Sequence, residues 1–316
     1  MDAIIMHELY KRYGWFLSRR KIVAVNHLSM TIPEKTIFGF LGPNGAGKTT
    51  TIKMLLGLVD PDTGYSRIFG IDSRDRDVRG RVGFLPESPH FYGHLTARDF
   101  LVFSGKLLHL GRMERAQRAE ELLERVTLTK AADQKLEGFS RGMLQRGGIA
   151  QALLSDPDLI ILDEPINGLD PVGRREVKHI LMDLRNDGKT IFFSSHILSD
   201  VEEMCNDVCI LNHGALVVRG SVEGLLQETG CTVWTEGLST EAAEGFEGIC
   251  KSVMKREGRH GFVLASIGRE EFISKVDAAG GKVREIQSER ETMEDFFLRT
   301  IKLDDERLAK EQGEKA

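Results

Sequence analysis

Three short runs in this chain are apolar at nearly every position: Ile37-Phe38-Gly39-Phe40-Leu41, Leu159-Ile160-Ile161-Leu162 and Ile191-Phe192-Phe193, the last inside the candidate strand Thr190-Ile191-Phe192-Phe193-Ser194-Ser195. A strand with one wet face alternates apolar and polar residues, so an unbroken run predicts a strand covered on both faces, as in a parallel sheet. Residues 173–186, between the second and third runs, carry apolar positions at helical spacing. Strand, helix, strand in that order is the unit of a parallel α/β core. Ahead of the first run, residues 3–7, 22–26 and 29–32 are short β-like segments separated by turn residues. A helix predicted over 49–58 runs into Pro61 and Gly64, which force a turn. Residues 96–127 predict helices, with Leu101, Phe103, Leu107, Leu108, Leu122 and Leu123 among the apolar positions.

Near Gly220 the pattern changes. Residues 221–227 predict a connecting helix, followed by candidate strands at 232–235, 261–265 and 282–286 and candidate helices at 241–249 and 270–279. That alternation predicts a small α+β appendage. The segment 302–316 is charged and poor in core residues, which predicts a frayed end or a solvated helix.

The chemistry starts directly after the first apolar run. Gly42-Pro43-Asn44-Gly45-Ala46-Gly47-Lys48-Thr49-Thr50 places a glycine-rich loop between a strand and a helix start. Glycines let the backbone turn with positive φ and bring its N–H groups close to a phosphate, and the helix N-terminus adds its dipole. Lys48 would reach the β- and γ-phosphates, and the Thr49 hydroxyl would hold Mg²⁺. Asp163 and Glu164 end the second run, at the carboxyl edge where open α/β sheets bind ligands. Asp163 would complete the Mg²⁺ coordination, and Glu164 could polarise the water that attacks the γ-phosphate. Ser140 stands where it can cap a further helix, a second anion-binding helix end.

With these motifs the chain resembles the ATP-binding subunits of ABC transporters over about residues 3–220. Phe139-Ser140-Arg141-Gly142-Met143 occupies the place of the family's signature segment, usually Leu-Ser-Gly-Gly-Gln, with Arg141 and Met143 as departures. The resemblance implies a P-loop NTPase core of ABC ATPase type, with an antiparallel β subdomain, a helical subdomain at about 88–139, and the accessory region 221–301 before the tail 302–316. It implies ATP and Mg²⁺ as ligands, and head-to-tail pairing of two copies in which Ser140 and Gly142 of one close over the nucleotide held by Lys48 of the other. Asp170, in Asn167-Gly168-Leu169-Asp170, would lie along that seam, and His196 would contact the γ-phosphate. Tyr13 occupies the position of the aromatic that stacks on adenine, with Tyr10 and Trp15 as alternatives. Glu87 stands in place of the family's Q-loop glutamine, where a carboxylate can ligate Mg²⁺ or hold its water. These departures resemble a subgroup serving separate membrane subunits, often exporters. The implied partner is therefore a transmembrane permease, and the implied coupling surface follows Glu87 through Pro89, Phe91, Tyr92 and Leu95. A soluble ATPase of the same type acting on the ribosome or DNA is the alternative; it typically carries paired nucleotide modules, long coiled coils or zinc modules.

Composition narrows the setting. Hydrophobic residues make up 41% and charged residues 29%, a balance typical of soluble globular proteins. No apolar run approaches the roughly 18 to 20 residues that span a bilayer, and Asp2 and Glu8 stand where a signal peptide carries basic residues. The expectation is a cytoplasmic protein held on the inner membrane face by its partner. The four cysteines lack paired zinc-site spacing, and a net charge of −5 gives no general attraction to nucleic acid.

Overall fold

The three apolar runs become the centre of a six-stranded sheet. In the computed structural model, which describes residues 1–14, 21–226, 228–246, 248–256, 259–265 and 269–313, the chain opens with β1 (Asp2–Tyr13), β2 (Ile22–Pro33) and β3 (Ile37–Leu41), then α1 (Lys48–Leu55). β4 (Thr63–Ile68), β5 (Ile71–Asp72) and β6 (Val82–Leu85) precede the helices α2 (Ala97–Leu107), α3 (Arg112–Arg125) and α4 (Arg141–Ala152). The core is completed by β7 (Leu159–Asp163), α5 (Pro171–Asn186), β8 (Thr190–Ser195), α6 (Leu198–Met204), β9 (Asp207–Asn212) and β10 (Ala215–Ser221). The large sheet has the order β10-β9-β3-β8-β7-β6, parallel except for the β9-β10 hairpin. Every residue of β3, β7 and β8 is buried, which is why their sequences lack alternation.

A second, antiparallel sheet, β2-β1-β4-β5, shares one hydrophobic cluster with α1 and the large sheet: Leu28 and Met30 from β2, Ile52 and Leu55 from α1, Phe40 and Phe192 from the large sheet. The Phe40 and Phe192 ring centroids are 5.0 Å apart. The segments expected at 22–26 and 29–32 form a single strand, because β1 and β2 stay paired through irregularities where Glu8 and His27 both take φ 48°. The helix expected over 49–58 stops at Leu55. Gly57 takes φ 63°, its N–H donates to Met54 O, and Leu58 N–H donates to Lys53 O, the paired bonds that close a helix at a left-handed glycine before Pro61 is reached. On α2, Phe100 and Leu101 face inward, whereas Phe103, Leu107 and Leu108 are 38%, 64% and 46% exposed. The apolar positions expected there thus divide between a core face and an outer face.

Compactness divides the chain into Met1–Val222 with Phe297–Ala316, and Glu223–Phe296. After the short α7 (Val222–Leu225), the second unit carries β11 (Glu228–Glu236), α8 (Thr240–Glu244), β12 (Ser252–Arg256), β13 (Arg259–Ala265), α9 (Arg269–Ala278) and β14 (Lys282–Arg290). Its antiparallel sheet has the order β12-β13-β11-β14 and its own core of Val233, Phe246, Phe262, Phe272 and Val276. α7 is shorter than the connecting helix expected at 221–227, whose last residue lies outside the described ones. The helix expected at 241–249 is confined to Thr240–Glu244. At the end, α10 (Met293–Gly313) takes the second of the two forms expected at 302–316, a largely exposed helix, but it starts earlier and its residues from Phe297 onward group with the first unit. One of its acids departs from that picture: Asp304, 6% exposed, accepts a hydrogen bond from Asn212 at 3.0 Å.

Candidate functional site

The glycine-rich loop connects β3 to α1. Gly45 and Gly47 take φ 83° and 100°, which an L side chain rarely adopts, and a Cβ on Gly47 would collide with the Ala24 carbonyl oxygen. α1 then starts at Lys48 with no acidic residue in its first turn, so its N-terminal N–H groups and dipole are left to favour an anion there. Lys48 is buried, and its Nζ donates to Gly42 O at 2.7 Å and Pro43 O at 3.4 Å. The ammonium also lies 3.7 Å from Glu164 Oε1.

The carboxylates reach this loop through the register of the large sheet. Asp163 on β7 pairs directly with Ser194 on β8. The Ser194 hydroxyl donates to Asp163 Oδ1 at 2.6 Å and accepts from the Glu164 backbone N–H at 2.9 Å. The other carboxylate oxygen of Asp163 accepts from the Thr49 hydroxyl at 3.1 Å. Glu164 is 9% exposed and takes φ 51°, a left-handed backbone that turns its side chain away from that of Asp163. His196 Nδ1 lies 2.7 Å from Glu164 Oε2. A carboxylate only accepts, so Nδ1 carries the hydrogen and Nε2 is the nitrogen left for a ligand.

A cleft of ≈ 380 Å³ lies beside these groups; Lys48, Thr49, Thr50, Glu87, Glu164 and His196 line it together with Asn44, Gly45 and Gly47, whereas Asp163, Ser194 and Gly42 stand behind its lining. Its donor set fits a magnesium nucleotide. Among the described residues no three His, Cys, Asp or Glu are grouped to hold a metal by themselves. Mg²⁺ bound along with phosphates needs only one or two protein oxygens, and Thr49 Oγ1 and Asp163 would fit that need.

Other expected residues stand elsewhere. Tyr13, 43% exposed at the end of β1, does not line the cleft, whereas its cross-strand partner Ile22 does, along with Ala24. Tyr10 lies against His27 with centroids 5.1 Å apart, and Trp15 is outside the described residues. Ser140 caps α4 by accepting from Met143 N–H at 3.3 Å, and Asp170 caps α5 by accepting from Gly173 N–H at 3.0 Å. Gly142 backs onto Gly173, and the Arg141 guanidinium covers Gly168. Ser140, Gly142 and Asp170 line no part of the cleft of their own chain. Sequence reasoning missed Ile22, Ala24 and Ser194; β2 brings the first two beside the loop, and the pairing of β7 with β8 brings the third to Asp163.

Comparison with known proteins agrees with this geometry. The sequence model of the family described as ABC transporter matches residues 25–167. An ABC transporter ATP-binding protein from Nostoc sp. is 38% identical over 305 residues, covering 96% of this chain and 90% of its own length. The chain belongs to the ABC transporter ATP-binding proteins. Another relative in this family, the Nod factor export ATP-binding protein I of Burkholderia lata, is 38% identical over 71% of this chain and 72% of its own. Among solved structures, a dimeric ATP-binding cassette in a post-hydrolysis state with ADP and Pi aligns with a TM-score of 0.63 at 25% identity, over 69% of this chain and 98% of that one. As an ABC ATP-binding subunit the chain is an ATPase.

Proposed function

We propose that this chain powers export through a separate transmembrane permease by closing, as a head-to-tail pair of copies, over two molecules of Mg²⁺-ATP and reopening after hydrolysis. The observation that carries the chemical part is the linked set Thr49, Asp163, Ser194, Glu164 and His196 beside Lys48. In this reading Lys48 and the loop N–H groups hold the β- and γ-phosphates, and Thr49 and Asp163 hold Mg²⁺, with Glu87 on the same side. Mg²⁺ supplies charge neutralisation of the phosphates. Glu164 accepts the proton of the attacking water, whose oxygen bonds to the γ-phosphorus as the bond to the β-phosphate oxygen breaks, leaving ADP and phosphate. His196, oriented by its Nδ1–H bond to Glu164, faces the γ-phosphate with its Nε2 edge, which donates there when the ring carries both hydrogens. Ser140, Gly142 and Asp170 lie outside their own cleft, in keeping with a site completed by a second copy.

Docking of the permease is supported by an exposed apolar face after Glu87. Tyr92 is 53% exposed and packs edge-on to Phe103 with centroids 5.6 Å apart, and Leu107 and Leu108 lie open beside a groove of ≈ 470 Å³ lined by Pro86, Pro89 and His90. No described helix is long and apolar enough to cross a membrane, so attachment to the cytoplasmic face falls to that partner. The export direction draws on the similarity to the Nod factor export protein. The test uses the chain purified with its candidate permease in vesicles. Glu164→Gln is expected to retain ATP, accumulate as a dimer, and lower turnover by roughly 10²-fold or more, with transport lost in parallel. Near wild-type turnover would remove Glu164 from the mechanism, and ATPase activity unaffected by the permease would remove the coupling.

A further inference from the structure

One nearly buried carboxylate has no part in the chemistry above. Asp304 on α10 is 6% exposed, and burying a carboxylate is costly unless partners compensate. Its partners are Arg307, whose Nη2 donates to Oδ1 at 2.6 Å, and Asn212, whose Nδ2 donates to Oδ2 at 3.0 Å. The same Asn212 amide donates to Asp305 Oδ1 at 2.8 Å, so α10 takes both of its hydrogens. His213 Nε2 stands 3.1 Å from that Asp305 oxygen. The two interactions, Asn212 first and His213 second, hold the Asp305 carboxyl below the usual carboxylate range.

Asn212 and His213 lead into a two-residue turn between β9 and β10. His213 and Gly214 both take positive φ, 47° and 82°, as the tightest hairpins require. Gly214 admits no side chain, since a Cβ would sit 2.9 Å from the Ala24 carbonyl oxygen. Its backbone bonds run in two directions: its carbonyl accepts from Asn26 N–H at 2.8 Å, and its N–H donates to the Ala46 carbonyl at 3.2 Å. Ala46 lies inside the phosphate loop, between the two glycines that shape it. From α10 to the loop the connection is therefore continuous: carboxylates, Asn212 side chain, turn backbone, Ala46 carbonyl.

We propose that Asp304 and Asp305 are positioning residues for the nucleotide site, because their grip on Asn212 fixes the turn whose Gly214 N–H braces the phosphate loop at Ala46. This rests on the reading of that loop as the ATP site. The brace acts on the loop and leaves Glu164 and His196 untouched. Its loss weakens ATP binding and spares the chemical step at saturation. The phosphate-binding N–H groups are aimed correctly only when the loop's own carbonyls are held.

The experiment measures Kd with a fluorescent ATP analogue, and KM, kcat and melting temperature on the full chain. Asp304→Ala and Asn212→Ala are each expected to raise Kd and KM about tenfold, the scale of lost support for a liganding group, with kcat at saturation within about twofold. The double variant should be no worse than either single one, since both break one connection. Asp304→Asn, whose amide oxygen still accepts from Asn212, should return Kd to within about twofold of wild type. Should Asp304→Ala fail to fold, the more exposed Asp305→Ala decides, with an expected rise of about threefold. A lower melting temperature with unchanged Kd would overturn the proposal and leave α10 as a docking helix only; fully additive losses would overturn it as well. Failure of the wild-type chain itself to bind the analogue would instead overturn the reading of the ATP site.

Discussion

Ser194→Ala removes a hydroxyl that is fully buried and has two partners in the site. The substitution leaves no larger cavity than an oxygen atom, so its effect is almost wholly polar. A hydrogen bond to a charged acceptor contributes about 1.5–3 kcal/mol, and an orphaned buried N–H costs about 1–3 kcal/mol, so a loss of about 2.5–6 kcal/mol in stability is expected. In a domain of this size that corresponds to a fall of about 5–20 °C in melting temperature. The functional consequence is more specific. Asp163 would keep Thr49 as its remaining partner, at 3.1 Å, and Glu164 would lose the anchor of its backbone next to the strained φ of 51°. Support of this kind for a metal-holding carboxylate is typically worth about 10–100-fold, so the Mg²⁺ concentration for half-maximal turnover should rise about tenfold and kcat should fall. Steady-state ATPase assays across a Mg²⁺ series, run well below the melting temperature, measure both. A variant that melts early yet keeps the wild-type Mg²⁺ midpoint and kcat would refute the reasoning, because the serine would then tie β7 to β8 and do nothing for the carboxylates.

Lys48→Ala should lower ATP affinity by about 10–100-fold, the loss of a charge-assisted contact to phosphate, as read by titration with a fluorescent analogue; unchanged affinity would place Lys48 outside the binding step. Glu87→Gln should keep ATP binding, shift the Mg²⁺ dependence of turnover and alter stimulation by the permease, since Glu87 lines the cleft and opens the proposed docking segment. If neither the Mg²⁺ curve nor the stimulation moves, Glu87 is a bystander.

The parts of this molecule written locally were legible. β3 and β8 match the limits expected from their apolar runs because both faces of each strand are buried. The phosphate loop was legible for a related reason: its chemistry needs glycines, a lysine and a hydroxyl at adjacent positions of one turn. β12 was not legible, since it is mostly exposed and only Val253 contributes to a core. Ser194 looked like the end of a strand, and its role depends on a register with Asp163 that spans 31 residues of sequence. The acids of α10 looked like part of a solvated tail, because nothing near them in sequence announces Asn212, 92 residues upstream. Tyr13 was placed by resemblance, and the hairpin presents Ile22 to the cleft instead.

Glu164 occupies a backbone conformation that costs a side chain larger than glycine's about 1–2 kcal/mol, and that asparagine or aspartate tolerates better. Glutamate at this position is thus held against a local stability cost, and on the reading that its carboxylate polarises the attacking water, Glu164→Asn is expected to relieve the backbone while lowering turnover, so that stability and activity move in opposite directions at one residue.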